Sequence, residues 1–132
     1  MRTVDDLLGE KGRDVWTVRP DATVQDAVRV MSERNVGAVV VCDGEHALGI
    51  FSERDCVRRV VLEGRSALDT RVLHVMSSPI RSVGLRDSVD HCMQQMTDRR
   101  VRHLPVVDHG RIVGMISVGD VVKAELSAQE DV

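Results

Sequence analysis

VWTVRPDATVQDAVRVMSERNVGAVVVCDGEHALGIFSERDCV, residues 15–57, aligns without a gap on IRSVGLRDSVDHCMQQMTDRRVRHLPVVDHGRIVGMISVGDVV, residues 80–122, at an offset of 65. Eleven of the 43 pairs are identical: Val18/Val83, Val24/Val89, Met31/Met96, Arg34/Arg99, Val36/Val101, Val41/Val106, Asp43/Asp108, Gly49/Gly114, Ser52/Ser117, Asp55/Asp120 and Val57/Val122. Unrelated chains of average composition would match at about three of those positions. Val15/Ile80, Thr17/Ser82, Thr23/Ser88 and Leu48/Val113 are conservative exchanges. The chain is therefore one unit written twice.

Each copy reads as strand, helix, strand, strand, helix. Val15–Val18 is a short extended segment closed by Pro20. Thr23, with Asp26 three residues on, has the form of a helix cap. Val24, Ala27, Val28 and Met31 then share one helical face. Val36–Cys42 is a continuous apolar run, as in a strand buried on both sides. Asp43-Gly44 starts a turn, and Leu48–Phe51 follows as a strand close enough to form a hairpin. Ser52 opens a second helix, with Val57, Val60 and Val61 expected inward and Gly64 as its stop. In the second copy the inward face of the first helix is Val89, Cys92, Met93 and Met96. Leu104–Val107 and Ile112–Ile116 are its strands, and Ser117 opens its last helix. The expected fold is α/β (α+β), with small mixed sheets: two pseudo-symmetric β-α-β-β-α repeats packed as one module. Residues 1–64 hold the first repeat with its lead-in, 65–71 a linker, 72–126 the second repeat, and 127–132 a frayed tail.

Composition narrows the function. Of 132 residues, 42% are hydrophobic, but Trp16 and Phe51 are the only aromatic ones, so the core is aliphatic. A net charge of −3 argues against a nucleic-acid partner, which needs a clustered basic face. Arg58–Arg59 and Arg99–Arg100–Arg102 are long enough to meet one phosphate group, or are simply a solvated face. Cys42, Cys56 and Cys92 match no metal or redox spacing and read as buried free thiols in a reducing compartment. The N-terminus has no secretory pattern, and no apolar run suits a membrane span, so the cytoplasm is expected. No nucleophile–base pair, phosphate loop or metal-ligand cluster is evident, so neither catalysis nor a metal is expected.

The segments Val36-Gly37-Ala38-Val39-Val40-Val41 and Val101-Arg102-His103-Leu104-Pro105-Val106-Val107-Asp108 resemble the CBS domain. So do Leu48-Gly49-Ile50-Phe51-Ser52-Glu53-Arg54-Asp55 and Val113-Gly114-Met115-Ile116-Ser117-Val118-Gly119-Asp120. Used twice, the unit looks like a CBS pair, or Bateman module, similar to small stand-alone bacterial CBS-pair proteins. The resemblance covers about residues 3–126. It implies adenosine-containing ligands (AMP, ADP, ATP, NAD(H) or S-adenosylmethionine) in two clefts. By that resemblance, one cleft uses Ser117 and Asp120 with Val15, Trp16, Val36, Gly37 and Ala38. The other uses Ser52 and Asp55 with Ile80, Arg81, Val101, Arg102 and His103. The Asp takes the ribose hydroxyls, the Ser helps hold phosphate at the helix start, and the strand residues meet adenine. A helix start offers N–H groups and partial positive charge to a phosphate. The chain departs from the family at Val40, where Pro105 stands in the second repeat, and at Cys56 and Val121, where a basic residue is common. Arg102 and His103 replace small residues, so equal occupancy of the clefts is not expected.

Ser/Thr-x-x-Asp is a weak signal, because it occurs five times: Thr3/Asp6, Thr23/Asp26, Ser52/Asp55, Ser66/Asp69 and Ser117/Asp120. A helix cap explains most of these. Trp16 is suited to stack on adenine or to cover sheet surface. The function expected is a regulatory nucleotide sensor acting in trans, as a homodimer or on an unidentified protein partner. The rival is a ligand-independent interaction scaffold with filled clefts, favoured by the bulk of Trp16, Arg81, Arg102 and His103.

Overall fold

The protein is described by a computed structural model covering residues 2–130, with the side chains of 128–130 left out of the description. In chain order the elements are α1 (Val4–Lys11), β1 (Thr17–Val18), α2 (Val24–Arg34), β2 (Ala38–Asp43), β3 (His46–Ser52), α3 (Glu53–Asp55), α4 (Val89–Arg99), β4 (His103–Asp108), β5 (Arg111–Ser117) and α5 (Val118–Glu130). A π-helical run, Cys56–Val61, continues α3, and a 3-10 turn spans Val72–His74. Backbone contacts divide the chain into two units, Trp16–Ile80 and residues 1–15 with 81–132.

In the unit Trp16–Ile80, α2 begins where Thr23 and Asp26 exchange caps. The Asp26 N–H donates to Thr23 Oγ1 at 3.1 Å, and the Thr23 N–H to Asp26 Oδ2 at 3.2 Å. The helix ends at Asn35, whose φ of 53° is left-handed and whose N–H bonds back to Met31 and Ser32. Val24, Ala27 and Met31 are buried. β2 pairs parallel with β1 and antiparallel with β3, the mixed sheet expected. Ala38 to Val41 are all buried, as the apolar run predicted. Phe51 and Val60, with Val72 and Val75 from beyond the linker, complete this core.

The unit formed by residues 1–15 and 81–132 repeats the hairpin. β4 and β5 pair in the register of β2 and β3, with Leu104 facing Ile116 where Val39 faces Phe51. A parallel bridge, Val83 to Val106, stands in place of β1. Ser88 caps α4, and Arg100, with φ of 55°, ends it. Cys92 lies buried on α4, where Ala27 lies on α2.

Three expectations change. Val57 and Val61 are 53% and 65% exposed, and only Val60 of that valine trio is buried. The inner face of this segment runs through Cys56 and Val60, which pack on the core, while Val57 and Val61, each the next residue in sequence, turn outward. Val28 and Met93 are likewise exposed, at 38% and 40%. Next, α5 continues through Ser127 to Glu130, so no tail begins at 127, and 131–132 lie outside the described residues.

The third change concerns the lead-ins, which are exchanged between the repeats. α1 carries Val4, Leu7 and Leu8 into the core of the second repeat. The Val4 N–H donates to the Asp87 carbonyl at 2.8 Å, and that of Asp5 to the Leu85 carbonyl at 3.0 Å. Residues before the second repeat stay with the first: the Val24 N–H reaches the Thr70 carbonyl at 2.9 Å, and Ser77 bridges Ile50. Compact units thus differ from the contiguous segments 1–64 and 72–126. Each repeat leaves a gap over its central strand glycine that a lead-in fills. Gly114 lies under Leu8 and Gly49 under Met76 and Ser77, so closely that a Cβ on either glycine would come within 2.7 Å of them.

Candidate ligand-binding site

Four of the five Ser/Thr-x-x-Asp patterns form reciprocal caps: Thr3/Asp6, Thr23/Asp26, Ser52/Asp55 and Ser117/Asp120. At the fifth, the Asp69 N–H bonds to the Ser66 carbonyl in a turn. Cap geometry is thus common to sites and to plain helix starts. What distinguishes Asp55 and Asp120 is what surrounds them.

Asp55 is buried. Its Oδ2 accepts from the Ser52 N–H and from Ser52 Oγ, both at 3.0 Å. Its Oδ1 accepts from Ser77 Oγ at 2.8 Å and lies 3.8 Å from Arg59 Nε. Arg59 in turn donates to the Met76 carbonyl at 2.8 Å. The Ser52 start also meets the expected adenine-side residues of its own repeat: the Glu53 N–H donates to the Gly37 carbonyl at 3.0 Å, and Ala38 pairs with Ser52.

Asp120 has a different environment. The Ser117 N–H donates to Oδ2 at 2.8 Å, and Lys11 Nζ donates to the same oxygen at 2.5 Å. Lys11 Nζ also reaches the Met115 carbonyl at 2.8 Å. The Asp120 side chain is 20% exposed, against 12% for Asp55. Burial alone would raise the Asp120 carboxyl, but the hydrogen bonds from Lys11 and Ser117 outweigh it and hold the group below the ordinary carboxylate range. It is therefore ionised at neutral pH. Arg102 and His103 adjoin this start, through the Val118 N–H to the Arg102 carbonyl at 2.9 Å and the His103–Ser117 pairing.

Each expected residue set draws on both units. Val15, Arg81, Val101, Arg102, His103, Ser117 and Asp120 belong to one; Trp16, Val36, Gly37, Ala38, Ser52, Asp55 and Ile80 belong to the other. Trp16 packs on the core of its own unit, its carbonyl accepts from the Val40 N–H at 3.0 Å, and the Arg34 guanidinium lies 4.2 Å over its ring. One face of its ring is thereby taken.

Lys11 and Ser77 were not singled out from the sequence. At the repeat offset Lys11 falls opposite Met76, which hides its role; no local pattern points across 109 residues to Asp120. The cysteines differ from one another. Burial, then the charge of Asp87, pushes the Cys92 thiol up to about 11, so it stays protonated; Cys42 and Cys56 are only half-buried.

The family model for the CBS domain matches residues 4–62 and 72–127. The chain belongs to the CBS-domain family. A CBS-domain protein of Burkholderia ambifaria is 43% identical, with a TM-score of 0.92 over 96% of both chains. The mitochondrial CBS domain-containing protein CBSX3 of Arabidopsis thaliana is 40% identical over 92% of this chain, which spans 64% of that protein's length. A CBS pair solved with 5′-methylthioadenosine and S-adenosyl-L-methionine shares the fold, with a TM-score of 0.83 at 18% identity. CBS pairs are generally regulatory and often bind adenosine-containing ligands. Among the described residues no helix is long and apolar enough to cross a membrane.

Proposed function

We propose that this CBS pair binds an adenine nucleotide and signals its presence in trans, with Asp120 as the ribose-binding carboxylate. The observation that carries this reading is the state of Asp120: ionised, partly exposed, and bonded among the described residues through Oδ2. Oδ1 is left to accept a ribose hydroxyl. Ser117, Val15, Trp16, Val36, Gly37 and Ala38 take the remaining roles that the family resemblance implies. The set of Ser52, Asp55, Ile80, Arg81, Val101, Arg102 and His103 is the weaker one, because both oxygens of Asp55 already have partners. We assign the protein no catalytic step and no metal.

A homodimer is part of the same proposal. Val28/Met93, Val57/Val122 and Val61/Leu126 are repeat-equivalent pairs, and their exposures match: 38% and 40%, 53% and 51%, 65% and 55%. A solvated helix face has no need of six large apolar side chains at matched positions, whereas a second copy presents the same stripes to cover them. A ligand acts on such an interface only as far as it binds the two states differently.

The ligand-independent scaffold remains the second reading, favoured by the occupied Asp55 and by Arg34 over Trp16. Melting of the purified protein against AMP, ADP, ATP, NAD⁺, NADH and S-adenosylmethionine, with GMP as control, separates the two. Ligand at a hundredfold excess over its dissociation constant adds about 2.7 kcal/mol, a shift on the order of 10 °C for a domain of this size. A shift with an adenosine compound and none with GMP supports the sensor. No shift with any of them leaves the scaffold.

A further inference from the structure

Lys11 does with one flexible ammonium what Ser77 does, in the other unit, with a backbone and a hydroxyl. Ile50 and Met115 are repeat equivalents, as are Asp55 and Asp120. The Ile50 carbonyl accepts from the Ser77 N–H at 2.8 Å, and Asp55 accepts from Ser77 Oγ at 2.8 Å. The Met115 carbonyl and Asp120 both accept from Lys11 Nζ, at 2.8 and 2.5 Å. Ser77 is tied down by a further bond, from the Ile50 N–H to its own carbonyl at 2.9 Å. Lys11 is anchored only through its stem, and its side chain is 35% exposed. The four-carbon stem lets the ammonium swing while α1 stays docked.

A ribose held by Asp120 presents neutral hydroxyls to the carboxylate and carries its phosphate nearby. The start of α5 has few donors left for that anion: the Val118 N–H is bonded to the Arg102 carbonyl, and the Asp120 N–H to Ser117 Oγ at 3.2 Å. A cation has to come from a side chain, and Lys11 is already in contact with the carboxylate. We infer that Lys11 is the specificity-determining residue of the Asp120 site. Its ammonium turns from Asp120 to the ligand's phosphate, and so selects phosphorylated adenosine over neutral or cationic adenosine compounds. With a neutral ligand, the ammonium either blocks the carboxylate or gives up its partner for nothing. With a phosphate it gains a charge-assisted hydrogen bond. With a sulfonium ligand it meets like charge.

This inference rests on the nucleotide reading above, and its test distinguishes the two. Dissociation constants for AMP, adenosine and S-adenosylmethionine are measured by calorimetry on wild type, Lys11→Met and Lys11→Arg, each first checked by circular dichroism. In wild type AMP binds at least about tenfold tighter than adenosine, and that ratio shrinks as ionic strength rises. Lys11→Met weakens AMP about tenfold and leaves adenosine binding equal or tighter, while Lys11→Arg keeps the preference for AMP. Equal binding of AMP and adenosine by wild type overturns the inference, as does an unchanged AMP affinity in Lys11→Met. The wild-type ratio and its salt dependence stand even if Lys11→Met misfolds. Failure of wild type to bind any of the three, or ADP, ATP, NAD⁺ or NADH, overturns the nucleotide reading itself, a result unlike either of those.

Discussion

In the unit Trp16–Ile80 the carboxylate at the helix start is met by a hydroxyl whose backbone is bonded into the sheet edge. In the other unit the equivalent carboxylate is met by an ammonium at the end of a side chain. The two repeats share their register, their caps and their buried strand glycines, yet their lead-ins differ. One is an eight-residue helix, α1; the other is a 3-10 turn followed by an extended bridge at Ser77. Duplication thus supplies two copies of the Ser-Asp start, and the lead-ins leave one closed by a hydroxyl and the other paired with an ammonium, the difference on which the proposed site rests.

The comparison is most severely tested at the glycines. Gly49→Ala places a Cβ 2.7 Å from the Ser77 carbonyl oxygen and the Met76 sulfur; Gly114→Ala places one 2.7 Å from the Leu8 methyls. A bridging backbone yields less than the end of a leucine. Gly49→Ala is therefore expected to cost about 3 kcal/mol or more and Gly114→Ala about 1–2, read by urea denaturation. Equal costs would break the contrast between a lead-in that covers its glycine with backbone and one that covers it with a side chain.

Next in size are the carboxylates. Asp55→Ala strands the Ser52 N–H and Ser77 hydroxyl in a buried setting and is expected to cost about 2–3 kcal/mol; Asp120→Ala, at a partly exposed position, costs about 1. The pH dependence sharpens this. The folded-state pKa of Asp120 is lowered, so its contribution is present above its unfolded pKa and is lost as pH falls through the folded one. The stability gap between wild type and Asp120→Asn should therefore be steady near neutrality and narrow below about pH 4. A gap that widens on acidification contradicts the ion pair with Lys11.

Smallest are the partners themselves. Ser77→Ala is expected to cost about 1 kcal/mol by thermal melting, and Lys11→Met about 0.5 or less, since a partly exposed ion pair adds little to stability. A larger loss at Lys11 than at Ser77 would make the ammonium a structural clamp.

Much of the fold was legible in the residues. The repeat gave the hairpins because Val36–Cys42 is an unbroken apolar run, and Thr23/Asp26 gave α2 because a cap acts within one turn. The fine facing of the helical run that follows α3 was not legible. Three valines at 57, 60 and 61 read alike, and only packing decides that Cys56 and Val60 turn inward. Exchange of the lead-ins escaped because α1 looks like the start of the repeat that follows it. The docking of Leu8 over Gly114 is a contact across the chain with no local periodicity. For the candidate site, the Ser-Asp pairs could be chosen by their place after the strand glycine. Lys11 and Ser77, which make the two pairs unlike, act through tertiary contact alone.

The most direct measurement is AMP affinity by calorimetry on Asp120→Asn and Asp55→Asn in parallel, each compared with wild type under conditions where all three are folded. The account predicts that Asp120→Asn weakens AMP at least about tenfold while Asp55→Asn binds it within about twofold of wild type. Loss of AMP binding in Asp55→Asn with full binding in Asp120→Asn would contradict it.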